Sequence, residues 1–247
     1  AVGFFALVAN TTADNNVAVG YSALGANTTG TDNVAVGYAA GDANTTGNYN
    51  TAVGQGALST ATTVHHNTAV GNGALATVAV GYNTAVGSGA MNATTTGTYN
   101  VAVGQNTMDV NTTGGYNVAV GALALDANTT AANNTAVGYA SLGANTTGAG
   151  NVAVGYGALD ANTTGYNVAV GTNSLSATDG SYNTALGRSA LAANATADNN
   201  VAVGYKALLS NTTGTDNVAV GSEALDSSTT GSDNTAIGDN ALGANTT

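Results

Sequence analysis

Fifteen times along this chain the tripeptide Ala-Val-Gly, or a close variant, returns at a step of seventeen or sixteen positions. The glycines that close it run from Gly3, Gly20 and Gly37 to Gly238, and only Gly71–Gly87, Gly155–Gly171 and Gly171–Gly187 are steps of sixteen. A fixed period this short means one small unit stacked many times, each unit covering an apolar face of the next. Functional claims then concern a surface that recurs, and a single pocket is the exception.

Reading one unit by column gives its shape. Asn stands four residues before the glycine in every unit that includes the position, from Asn16 and Asn33 to Asn234. Val or Thr follows, then always Ala, then Val, with Leu186 and Ile237 the exceptions. β-Branched residues around a small one fit a short strand of about five residues. Four residues after the glycine comes a second apolar column, Leu7, Leu24, Leu58 and onward to Leu242, with Met91 and Met108 in it and only Gly41 breaking it. That column reads as the core of an opposite strand. The remaining Ala-Asn-Thr-Thr-Gly segments are turn chemistry. No uninterrupted window of about 10–12 residues is free of Gly, Asn or Thr, which excludes helix.

The predicted fold is therefore all-β, a parallel β-solenoid or β-roll of about fifteen coils. Each coil has sixteen or seventeen residues and two short strands, in one continuous array over residues 1–247. Stacking is obligatory. Ordering a coil costs roughly 1–2 kcal/mol per residue, whereas burying one Leu and one or two Val returns only about 1.5–3 kcal/mol each. Ladder hydrogen bonds between coils, and ladders of identical Asn side chains, supply the difference. The segment Thr77-Val78-Ala79-Val80-Gly81 imitates another strand motif. Gly81 falls ten residues after Gly71, however, as Gly30 follows Gly20, so the segment replaces a turn and adds no coil.

Composition removes several function classes. Thirteen acids stand against Arg188 and Lys206 alone, for a net charge of −11. Two bases cannot neutralise a run of phosphates, so no nucleic-acid partner is expected. Anionic lipid is equally excluded, and no apolar run approaches the roughly 18–20 residues of a membrane span. Cysteine is absent, so there is no disulfide framework.

Asn-(Val/Thr)-Ala-Val-Gly resembles the Asn-Ser-Val-Ala-Ile-Gly signature of trimeric autotransporter adhesin heads, and is similar to repeats of phage tail fibres and other bacterial surface fibres. The resemblance covers the whole chain. This sequence has one residue fewer between Asn and Gly, a longer unit and a recurrent Asn-Thr-Thr corner. The resemblance implies a surface-exposed parallel β-roll, self-associated as a homotrimer or filament, located outside the cell or at its surface.

Asn-Thr-Thr is the strongest functional signal in the sequence. Asn10, Asn27, Asn44, Asn111, Asn128, Asn145, Asn162, Asn194, Asn211 and Asn245 each open an Asn-x-Thr acceptor, which implies an exposed, glycosylated loop in an exported protein. Asp42, Asp109, Asp126 and Asp160 stand two residues before four of them, resembling the extended bacterial sequon. Where the Asn is lost a Thr pair often remains, at Thr62-Thr63, Thr95-Thr96 and Thr229-Thr230, so the threonines are either structural or themselves modified. The competing reading is that Asn and Thr close the corner through Asx- and ST-type turns.

The eleven tyrosines occupy two columns, directly after the glycine or directly before the Asn. They read as stacked corner rings or as a carbohydrate-binding stripe. A flat threonine grid for ice is disfavoured, because adjacent threonines in a strand face opposite sides.

Enzyme signals dissolve. Gly54-Gln55-Gly56 and Gly71-Asn72-Gly73 mimic a dinucleotide fingerprint without its βαβ unit. His65 and His66 are adjacent, without Cys or a carboxylate at ligand spacing. The acids do not follow the calcium-loop pattern. No catalytic residue, cofactor or metal site is assigned.

The expected function is an extracellular structural fibre or adhesin shaft, glycosylated at the Asn-Thr-Thr corner. A phage tail-fibre shaft and a carbohydrate-binding module are the alternatives. The absence of a distinct capping repeat predicts continuation into a longer chain, or end-to-end stacking.

Overall fold

The computed structural model describes residues 1–246. It divides into two compact units, Ala1–Leu123 and Ala124–Thr247. Both are parallel β-solenoids built from the same coil. The hydroxyl of the last Asn-x-Thr acceptor belongs to Thr247, which lies outside the described residues.

The first unit holds β1 (Val17–Val19), β2 (Val34–Val36), β3 (Thr51–Val53), β4 (Thr68–Val70), β5 (Thr84–Val86), β6 (Val101–Val103) and β7 (Val118–Val120). The second holds β8 (Thr135–Val137), β9 (Val152–Val154), β10 (Val168–Val170), β11 (Thr184–Leu186), β12 (Val201–Val203), β13 (Val218–Val220) and β14 (Thr235–Ile237). Within each unit, strands pair in chain order, parallel and in strict column register: Ala18 opposite Ala35, Ala102 opposite Ala119, Ala185 opposite Ala202. Fourteen of the fifteen sequence motifs form strands, and the first is held by a single parallel bridge from Val2 to Val19. The imitation motif Val78–Val80 is not a strand, and Val78 is buried in a turn column as its register requires. Among the described residues there is no helix, hence none long and apolar enough to cross a membrane.

Two expectations need correction. Each coil carries one three-residue strand, not two strands. Opposite it the chain runs through consecutive β-turns, because two residues per coil there take positive φ. In the coil of Gly20 these are Ser22 at 53° and Leu24 at 49°. Amide hydrogen bonds alternate accordingly. Ala23 N–H reaches back to the Gly20 carbonyl and Gly25 N–H to that of Ser22, while Leu24 N–H crosses to Ala40 of the next coil. Half the amides close turns and half join coils, which gives a ladder without an extended strand.

The second correction concerns facing. In every strand the central alanine is buried and the flanking residues point outward. The core is this alanine column packed against the Ala/Ser/Thr and Leu/Met columns of the turn side, with Leu58, Leu75, Met91, Leu125 and Leu208 among its fully buried members. Valine, assigned to the core on burial energetics, lies on the surface. A coil this short encloses too little width for Val and Leu to face each other, and Ala opposite Leu fits.

The repeat glycine enforces the close stacking. At Gly104 φ is +140°, and a Cβ would sit 2.6 Å from the carbonyl carbon and 2.7 Å from the carbonyl oxygen of Gly121. No side chain fits there.

Candidate functional site

The Asn-Thr-Thr corner is built by two ladders. The first comes from the Asn that precedes each strand. Asn83 Oδ1 accepts from the Asn100 amide at 3.0 Å, and Asn100 Oδ1 accepts from the Asn117 amide at 2.9 Å. The Nδ2 of Asn100 donates to the Gly114 carbonyl at 2.9 Å. The second ladder is the sequon asparagine itself. Asn44 Nδ2 donates to the Gly47 carbonyl at 3.1 Å and to Asn27 Oδ1 at 2.8 Å, while Asn44 Oδ1 accepts from the Gly47 amide at 3.1 Å. The same closed turn recurs at Asn145 with Gly148, Asn194 with Ala197, and Asn211 with Gly214.

The exposure that the acceptor sequence implied is thereby overturned at most of these asparagines. Asn44 is 4 % exposed, and Asn27, Asn111, Asn128, Asn145, Asn162, Asn194 and Asn211 are each at 0 %. Asn245 is half-buried and Asn10 alone is exposed. An Nδ2 buried in the turn it closes has no space beside it for a glycan. A buried amide whose donors and acceptor are satisfied is instead a folding device.

The threonines differ from one another. The first of each pair uses its hydroxyl between coils: Thr28 Oγ1 donates to the Thr45 carbonyl at 3.0 Å, Thr95 to Thr112 at 3.0 Å, and Thr229 to Thr246 at 3.1 Å. The second of most pairs points to solvent, Thr164 being half-buried with its hydroxyl donating to the Gly180 carbonyl at 2.6 Å. Thr29, Thr46, Thr63, Thr96, Thr113 and Thr230 are all exposed. Thr62, Thr95 and Thr229 are exposed as well. A hydroxyl column thus stands on the outside of the corner whose amides are sealed.

The tyrosine columns are stacked rings. Tyr49, His66, Tyr82, Tyr99 and Tyr116 form one run, with successive centroids 4.9, 5.1, 5.1 and 5.2 Å apart and planes within 18°. Tyr21–Tyr38, Tyr139–Tyr156 and Tyr166–Tyr182 repeat the geometry. Each ring covers the face of its neighbour, so the stripe offers edges, whereas a sugar needs an open face. His66 belongs to this stack, and His65 Nδ1 accepts from the Asn48 amide at 3.0 Å. Neither histidine is grouped for a metal, and among the described residues no three His, Cys, Asp or Glu side chains are.

Both bases gather at Tyr205. Arg188 lies 4.8 Å and Lys206 5.1 Å from the ring centre, and Arg188 Nη2 donates to the phenol at 2.9 Å. Hydrogen bonding from Lys206, then from Arg188, lowers the pKa of this phenol. Desolvation raises the carboxyl pKa of Asp42 and Asp160 in the turn column. One Asp42 oxygen is buried without a hydrogen-bond partner. The apparent dinucleotide glycines are turn glycines: Gly56 and Gly73 have φ of 63° and 64°.

The feature that sequence reasoning missed is the outward valine column. A signal for it was present, because the position before it is Ala in every unit while the position before that alternates Val with Thr. Invariant smallness marks the inside, and tolerance of a hydroxyl marks the outside.

Fold and surface together define a repeat solenoid whose constant residues join coil to coil. No family model matches the chain, and neither does any curated protein or solved structure.

Proposed function

We propose that this chain is a structural shaft segment of an extracellular fibre or adhesin, modified by O-linked glycan on its outer threonine column. One observation carries the reading: the positions held constant from coil to coil are those that stack the coils, and the chemistry-bearing residues vary. Asn, Ala, Gly and Leu recur because neighbouring coils need them, while Asp recurs in only some coils, as at Asp42, Asp109, Asp126 and Asp160, and the His, Arg and Lys side chains each belong to a single coil. An object whose selected property is its own length and stiffness has this pattern. The resemblance to adhesin-head and surface-fibre repeats supports placement outside the cell. The outer threonines, exposed in column after column where the asparagines are sealed, support hydroxyl rather than amide attachment.

Two measurements test the reading. Antibody against the chain should label intact producing cells, and label that appears only after permeabilisation would contradict an external location. Mass spectrometry of the native protein should exceed the bare 23.6 kDa chain, with sugar fragments mapping to threonines such as Thr63, Thr96 and Thr230. A bare mass would exclude the glycan.

A further inference from the structure

The outward residues of the strands form an aliphatic face that the fold of a single chain leaves uncovered. The residue just before each repeat glycine is Val, except Leu186 and Ile237. Val19 is 39 % exposed, Val103 37 %, Leu186 48 % and Ile237 72 %. An exposed strand position without a partner accepts Thr as readily as Val, both being β-branched. The neighbouring outward column behaves that way, with Val17, Val34, Thr51, Thr68, Thr84 and Val101 in succession. The column after the glycine, also exposed, goes further: Tyr38, Gln55, Asn72, Ser88, Arg188 and Asp239. Only the column before the glycine stays aliphatic in every coil. Where that column varies it becomes larger, never polar.

We propose that this face is the docking surface for a second copy of the same chain, two solenoids pairing sheet to sheet through their valine columns. Periodicity argues for the occupant. The knobs recur once per coil, in register, and a partner must present the same spacing to interdigitate along the run, which another copy does by construction. Charge agrees: all thirteen acids and both bases lie outside the strands, so two copies can approach without a buried charge. Area agrees as well. Two outward side chains on each of seven strands expose on the order of 600 Å² per unit, near the roughly 800 Å² per partner of a stable interface, and the chain carries two such units. That area, part of it threonine, stands at the upper end of the roughly 300–600 Å² of the largest apolar patch on a typical monomer, a patch that is often functional.

One self-complementary face per coil favours an isologous pair. A ring of three through lateral contacts calls for two different complementary faces, and the other faces here carry Tyr, Thr and Asp. This pairing does not depend on the shaft reading, because it rests on the exposed column alone.

The test is the solution mass of the intact chain by light scattering or sedimentation. The expected species has twice the 23.6 kDa chain mass. Its population should rise as salt increases from about 10 to 150 mM, because screening weakens repulsion between two chains of charge −11. A quadruple variant Val36→Glu, Val103→Glu, Val154→Glu, Val203→Glu, with two changes in each unit, should be a monomer with unchanged far-ultraviolet dichroism, since these side chains point out of the fold. If that variant fails to fold, Val→Thr at the same positions keeps β-branching and should weaken pairing on the order of tenfold or more. Thr29→Glu, Thr46→Glu, Thr113→Glu, at the Asn-Thr-Thr corner and outside the strands, should pair as the parent does at about 150 mM salt. A monomeric or trimeric parent, pairing that survives the valine substitutions, or an open series of masses from end-to-end stacking would each overturn the proposal.

Discussion

At the scale of the residue, the coil depends on side chains in unusual backbone states. Leu75 has φ of 49°, a left-handed conformation costing roughly 1–2 kcal/mol for a residue with a Cβ. The turn side needs that dihedral to close its β-turn, and full burial of the leucine offsets the strain. Asparagine serves by its dual character. Removing the Asn100 side chain would take the acceptor from the Asn117 amide, at about 1–3 kcal/mol for a buried group, and leave the Gly114 carbonyl with Asn111 Nδ2 as its donor. Asp42 is the residue least suited to its place. Desolvation raises its pKa from the ordinary 3.8, so the folded state binds its proton more tightly than the unfolded chain does. The stability associated with that proton is complete below pH 3.8 and is lost as pH rises through the folded value. Asp42→Asn is therefore expected to raise the melting temperature at pH 7, and the gain should vanish below pH 3.8. A gain that persists at low pH would show that ionisation is not the cause.

At the scale of the element, one short strand faces a run of turns, and only the strand is legible from the sequence. Its position follows from the Asn-(Val/Thr)-Ala-Val-Gly columns, and the register of Gly81 correctly marks the imitation strand as a turn. The turn side reads as a second strand because a buried Leu column looks the same whether extended backbone or a β-turn presents it. Period alone does not report the sign of φ. Facing is hidden for a related reason, since general burial energetics place Val inside and ignore how narrow a coil this short is. The candidate corner is located by its Asn-Thr-Thr spacing. Which of its atoms face solvent depends on contacts with the neighbouring coil, such as Asn44 with Asn27, and no local motif encodes those. The facing can be tested by one pair of substitutions. Leu75→Ala should cost about 2–5 kcal/mol as a core truncation, whereas Val103→Ala, measured where the chain is monomeric, should cost within about 1 kcal/mol. Equal costs in urea unfolding would place both side chains in the same environment.

At the scale of the whole molecule, the chain is many copies of one nearest-neighbour interaction. Stability then accumulates coil by coil, and any one coil can be spared provided the register across the junction is kept. The proposed glycan column and the proposed pairing face follow the same logic, since each would act through repetition. The claim is tested most directly by unfolding two deletion variants in denaturant. Deleting Ser88–Gly104 joins Gly87 to Gln105 and removes one full coil. The variant should unfold cooperatively, with a denaturant slope lower by about one coil's share of buried surface. Deleting only Ser88–Thr96 removes fewer residues but throws every later column out of register, and should abolish or split the transition. If the shorter deletion is tolerated as well as the full coil, or if loss of the full coil unfolds the chain, the stacked coil is not the unit of this structure.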